Sequence, residues 1–323
     1  MLRLLLISVI FAVEGLGVVL NALLLVKVWT LRNDRIFKSY RVCLSVIAFH
    51  GLLYAAATMI TIPIPRYTSS FFLKVFCGPI VLLPPSRRVE IAALFIQSAA
   101  GRATWLLFPS TFVFQYLTLC RPAISSVARM MIIYGVTMAL GVVSMRSIFY
   151  LIPKESDVPT MEKGARDYFD EPADSNYRII VFGTMYDSSK QDYKMFFIFL
   201  IPILLGIGLV KFCVWRINAQ LKQHRKECAV DDIALKRERS VTKALMRQAF
   251  VLLIIAAPGV LIPARVLFSH SHPSSSFFVD TILPATNSFL LYCSPLASAS
   301  IFLLHLPRSA SKTSIRSNLS LKL

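Results

Sequence analysis

Seven long apolar runs divide this chain, at about residues 4–29, 42–64, 91–118, 130–152, 195–217, 247–268 and 277–306. Each is long enough to cross a bilayer as a helix, which takes roughly 20 residues. The runs are apolar on every side rather than along one stripe, so water-facing amphipathic helices are a poor alternative. The expected fold is an all-α membrane protein, a seven-transmembrane helix bundle. The third run is the most polar, with Gln97, Arg102, Pro109 and Gln115. The first extends well past the ~7–15 apolar residues of a signal-peptide core, with no clean small-residue cleavage site closing it. It reads as a retained helix.

Composition agrees with the runs. Apolar residues make up 56% of the 323 and charged residues 16%, against about 45–50% and ~25% in soluble domains. A water-soluble fold would have too little polar surface, and disorder is excluded. The formal charge of +18 would suggest nucleic acid in a soluble chain, but here it sorts by side. Connections 30–41, 119–129 and 218–246 and the tail 307–323 are strongly basic, with Asp34, Glu227, Asp231, Asp232 and Glu238 as their only acids. Loops 65–90, 153–194 and 269–276 are nearly balanced. Lys and Arg mark the cytoplasmic side, so the N-terminus is expected outside and the C-terminus cytoplasmic. Attraction to anionic inner-leaflet lipids follows from the same charges, and nucleic acid is not an expected partner.

The layout is one membrane domain, 1–306, with a short basic cytoplasmic tail, 307–323. Loop 153–194 reads as a solvated cap or as a ligand-contacting lid, with a short strand at Arg178–Phe182. The connection 218–246 lacks Pro and Gly, mixes charges at helical spacing, and is expected to extend the fifth and sixth spans. Its KRERSVTKALMR stretch reads equally as a lipid-facing patch or as a docking surface. Asn318-Leu319-Ser320 matches a glycosylation acceptor, but on the cytoplasmic side it would stay unused.

Nothing in the chain points to bond chemistry. Cys43, Cys77, Cys120, Cys213, Cys228 and Cys293 leave only Cys77 outside; with no cysteine in loop 153–194, it is free, at the bilayer boundary, or intermolecular. His50, His224, His270, His272 and His305 are split between the faces and do not form a metal-ligand set. No G-x-S-x-G or P-loop pattern occurs, and Glu14 and Asp280 are isolated acids. No catalytic residue, metal or cofactor is expected.

Ionisable groups within spans usually face the bundle interior. Lys27 and Lys211 lie near inner ends and can snorkel. Arg102 sits near the middle of span three, Arg146 and Arg265 in the outer parts of spans four and six, and Asp280 near the outer end of span seven. These four form a candidate pocket for a polar or ionic ligand; the alternative is that Arg146, Arg265 and Asp280 reach the headgroups. Pro202, Pro258, Pro263 and Pro295 interrupt the last three spans and can kink them.

Three segments carry a family resemblance. FVFQYLTLCRP at 112–122 resembles the YRYxxxCRP-like junction of the nematode serpentine chemoreceptors of the Str-type superfamily. Tyr116, Cys120, Arg121 and Pro122 fit, and Gln115 stands at the arginine position. Leu245, Arg247, Gln248, Phe250 and Pro258 resemble the family's entry to span six. Tyr292-Cys293-Ser294-Pro295-Leu296 is similar to its D-P-L element, with Ser294 in place of the acid.

The resemblance implies a G-protein-coupled receptor in the plasma membrane, multi-pass and in a sensory cilium, that binds an extracellular small molecule and activates a heterotrimeric G protein. It assigns coupling or switching roles to Tyr116, Arg121, Arg247, Gln248, Ser294 and Pro295. The alternatives are a secondary transporter, which commonly shows two related halves that this chain lacks, and a non-signalling seven-span scaffold.

Overall fold

The computed structural model describes residues 2–30, 35–67, 71–120, 125–144, 148–149, 151–169, 178–185, 192–227 and 292–305, with short stretches between 243–254 and 286–290. Its helices are α1 (Leu2–Thr30), α2 (Arg35–Thr61), α3 (Arg87–Cys120), α4 (Ser126–Ser144), α5 (Val158–Phe169), α6 (Asp192–Glu227) and α7 (Ser294–His305). Its strands are β1 (Pro63–Tyr67), β2 (Phe71–Phe76) and β3 (Ile180–Met185). Among the described residues, Arg3–Thr30 and Arg41–Thr61 are long and apolar enough to cross a membrane.

α1 shows why the bundle does not suit water. Leu4, Leu5, Val9, Leu16, Val19, Leu23 and Val26 are exposed, whereas Glu14 and Asn21 are buried. The buried set Ile10, Glu14, Gly17, Asn21, Leu24 and Val28 advances by three or four residues, forming one helical face. Polar groups inside and leucines outside are the expected arrangement in lipid. α1 packs on α2 and α7, α2 on α3, and α3 on both α4 and α6.

Close contacts between helices fall at small or polar residues, as is common in membranes. A Cβ on Gly51 of α2 would lie 2.5 Å from Asn21 Oδ1, so only glycine lets the amide approach. Gly206 of α6 faces Pro109 of α3, where a Cβ would meet the ring at 3.0 Å. Ser110 of α3 and Thr137 of α4 share a 2.6 Å hydroxyl hydrogen bond. α6 continues to Glu227, which carries the fifth span into the basic connection. Residues 228–242 of the connection, and the sixth span's Pro258 and Pro263, lie outside the described residues.

The connections depart from the all-helical expectation. β1, β2 and β3 form one antiparallel sheet in that order. The second span ends at Thr61 rather than at 64 because Pro63 supplies no backbone donor and disfavours helix at the residue before it. Ile62 adopts φ 37° there, and the Cys77 and Gly78 amides return to the Thr61 carbonyl at 3.1 and 3.0 Å. The end of β2 thereby caps the end of α2. The expected strand at Arg178–Phe182 appears as β3, displaced to Ile180–Met185; the partner strands in loop 65–90 were not expected.

Alternation along β2 gives the sheet two apolar faces. Leu73 and Val75 join Met161, Ala165 and Phe169 of α5, a helix that sequence reading missed in loop 153–194. Phe76, with Phe182 and Ile180 of β3, packs on Ile80, Leu94 and Ile148 on the bundle side. Cys77, for which three readings stood open, is a buried thiol directly after β2.

Candidate functional site

Lys74 lies on β2 between Leu73 and Val75, so strand alternation sends its side chain the other way, toward α3. Its ammonium donates to Gln97 Oε1 and, at 3.3 Å, to Ser98 Oγ. It also lies 5.9 Å from the Phe76 ring centroid. Arg102 is one turn along α3 from Ser98 and is half-buried. The Lys74 residue is itself half-buried, and its ammonium end is the part enclosed. Burial first, and the Arg102 charge second, lower its pKa to about 7.

The acid on α3 is engaged elsewhere. Glu90 pairs with Arg178, which also donates to the Leu83 carbonyl at 2.6 Å, and with Arg87 at 3.2 Å. This cluster ties β3's entry to the start of α3, at the sheet-bearing end. Lys74, Gln97, Ser98 and Arg102 therefore form a cation-rich polar group where sheet meets bundle. Of the four sequence-derived pocket residues, Arg102 is here; Arg146, Arg265 and Asp280 lie outside the described residues. Sequence reading missed Lys74, because its loop showed no sign of folding back onto span three.

A second polar seam joins the helices themselves. Asn21 Nδ2 donates to the Gly17 carbonyl at 2.8 Å and to the Pro295 carbonyl at 3.1 Å. His50 Nε2 donates to the Ala100 carbonyl of α3 at 3.0 Å. Glu14 is fully buried, and neither carboxylate oxygen has a hydrogen-bond partner among the described residues. The Tyr292 hydroxyl donates to the Pro63 carbonyl, connecting the start of the last helix to the sheet.

The switch candidates do not share one end: Ser294 and Pro295 lie just after the sheet-bound Tyr292, and Tyr116 lies near the far end of α3. Gln248 is buried and its Nε2 donates to Ser298 Oγ at 2.5 Å, joining the sixth span's entry to α7. Arg247, beside it, is exposed. Ser294 and Pro295 are buried where α7 begins. Tyr116 of α3 stands edge-on to Phe212 of α6, with centroids 6.0 Å apart. Gln115, at the family's arginine position, is fully buried beside it. Arg121 lies outside the described residues. Lys27 does more than reach for water: its ammonium donates to the Leu303 carbonyl at 2.8 Å, capping the end of α7. Lys211 is exposed, as snorkelling requires.

Groups of three or more His, Cys, Asp or Glu placed to hold a metal are absent among the described residues. The arrangement is suited to binding and to relative movement of helices. A protein-family profile described as "Serpentine type 7TM GPCR chemoreceptor Str" matches residues 8–289. No curated protein matches the chain.

Proposed function

Because the chain belongs to the Str family of serpentine G-protein-coupled chemoreceptors, a family of multi-span helical membrane proteins with a sensory signalling role and no enzymatic activity, we propose that it reports an external small molecule to a heterotrimeric G protein. The family match over 8–289 carries this reading. Seven spans then run from an outside N-terminus to a cytoplasmic tail at 307–323, in the plasma membrane of a sensory cilium. The one-sided distribution of Lys and Arg supports that orientation, and the basic face also attracts anionic inner-leaflet lipids.

In this orientation the sheet-bearing end faces outside and holds the ligand, with Arg102, Arg146, Arg265 and Asp280 around it. The opposite end meets the G protein through Tyr116, Arg121, Arg247 and Gln248. Ligand binding shifts a pre-existing equilibrium rather than making a bond, by favouring one arrangement of the helices. The Gln248–Ser298 hydrogen bond and the break at Ser294-Pro295 support a movement of α7 against the sixth span. The Tyr292–Pro63 contact gives the outer sheet a direct hold on that helix.

An epitope placed after Leu323 tests the orientation. It is expected to stain only permeabilised cells; staining of intact cells would place the tail outside and remove the coupling face. Arg247→Ala is expected to reduce G-protein activation without reducing surface expression. Solute uptake that proceeds with no G-protein response would identify a transporter instead.

A further inference from the structure

We propose that Glu14 is a proton-binding site: its carboxyl carries a proton while α7 lies against α1 and releases it when the two helices part. The proton site stands on the geometry of the bundle, and its effect on signalling rests on the receptor reading. Glu14 is fully buried, and neither of its oxygens has a hydrogen-bond partner among the described residues. An acid so placed is costly as an unpaired charge, and taking up a proton relieves that cost.

The groups facing it supply no positive charge. α1 packs on α2 and α7. Tyr54 of α2 and Cys293, directly before α7, are near enough for a Glu14 charge to act on them; each is neutral or, ionised, negative. His50, one turn before Tyr54, has one ring nitrogen on the Ala100 carbonyl and the other buried without a partner, so it too is uncharged. The Asn21 amide is taken up by the Gly17 and Pro295 carbonyls. Arg3 lies over the Phe169 ring, Lys27 holds the Leu303 carbonyl, and Lys74 donates to Gln97 and Ser98 near Arg102. No basic group among the described residues acts on Glu14.

Location ties the proton to movement. The point that a Cβ on Gly17 would occupy lies 3.7 Å from Glu14 Oε2, 3.5 Å from Pro295 Cβ and 3.6 Å from the Leu296 nitrogen. The carboxyl therefore sits at the contact between α1 and the start of α7, which Tyr292 links to the sheet. Parting these helices admits water, and a hydrated carboxyl ionises at neutral pH. Proton release and the parted arrangement then favour each other, as linkage requires.

The test compares the full-length protein in nanodiscs with Glu14→Gln and Glu14→Leu by infrared difference spectroscopy. At pH 7 the expected difference is the carbonyl band of an un-ionised carboxylic acid; an ionised carboxylate band overturns the inference. Unfolding in detergent gives an independent reading. An exposed carboxyl has lost its proton above about pH 4.3, so folding takes one up. The wild type's unfolding constant, relative to whichever variant folds, should rise by up to about tenfold per pH unit between about pH 5 and 7. A ratio that does not change with pH overturns the inference.

Asn21→Ala, which frees the Pro295 carbonyl from α1, should make the acid band fade at lower pH; an unchanged titration overturns the link to α7. Stabilisation by sodium chloride over choline chloride, lost in Glu14→Gln, would assign the site to a metal cation and overturn the proton. Ligand-free nucleotide exchange on a G protein should vary with pH in the wild type and lose that dependence in Glu14→Gln; the same dependence in both overturns the signalling role. A Glu14-dependent proton with no G-protein response at any pH supports the site and overturns the receptor reading.

Discussion

The Asn21 side chain of α1 bonds to the Pro295 carbonyl at 3.1 Å, fastening the first helix to the turn that begins the last. The same amide donates to Gly17 of its own helix, and its oxygen is held against Gly51 of α2. One side chain thus joins three helices.

Gly51→Ala is expected to destabilise the bundle by about 1–3 kcal/mol, the usual cost of forcing extra volume into a packed site. The new Cβ would stand 2.5 Å from Asn21 Oδ1. Thermal unfolding in detergent reads the loss. In an Asn21→Ala background the penalty should shrink, because the atom that clashes is gone; an undiminished penalty would place the contact elsewhere.

Glu14→Gln should raise stability. The carboxylate is fully buried with no hydrogen-bond partner among the described residues, and a neutral amide of similar shape carries a smaller desolvation penalty. A gain of about 1–3 kcal/mol is the range for an unsatisfied buried group. A marked loss on the same unfolding measurement would mean that the charge is required at this seam.

Gln248→Leu and Ser298→Ala each remove the 2.5 Å bond between the sixth span's entry and α7. Each is expected to lower stability by about 0.5–1.5 kcal/mol and to shift basal G-protein activity in the same direction. The double variant should go little further than either single one, since both remove one interaction. Additive shifts would show that the two side chains act separately.

Lys74 makes the unliganded protein pH-dependent. Its folded pKa is lowered from 10.5 to about 7, by burial first and by Arg102 second. Between these values the unfolded chain binds more protons, so stability rises with pH from about 7 toward 10.5. Unfolding temperatures of wild type and Lys74→Met, compared across that window, should converge as the lysine of the unfolded chain loses its proton. Parallel curves would contradict the assignment.

Much of the helical frame was legible because the spans are long and uniformly apolar; α1, α2 and α3 lie where the runs predict. The sheet was not. β1 carries Pro63 and Pro65 and is continuous with an apolar span, so nothing local marks where helix gives way to strand. The sheet's second pairing is also non-local, joining β2 to β3 more than a hundred residues later. α5 escaped because its apolar face is only Met161, Ala165 and Phe169 in an otherwise charged stretch.

The site was legible in part for the same reason. Arg102 stood out as a charge deep in an apolar run. Lys74 looked like an ordinary loop lysine, and only the folding of β2 over α3 gives it a role. At the other end, Gln248 was singled out by family pattern, but its partner Ser298 was not, because a serine in an apolar helix carries no distinguishing signal.

The most direct test of the account is nucleotide exchange on a purified heterotrimeric G protein added to the receptor in nanodiscs, with and without an activating small molecule. The account predicts ligand-dependent acceleration of exchange that is lost in the Arg247→Ala, Gln248→Ala double variant while ligand binding persists. Ligand binding that leaves exchange unchanged with every G-protein class tested would contradict it.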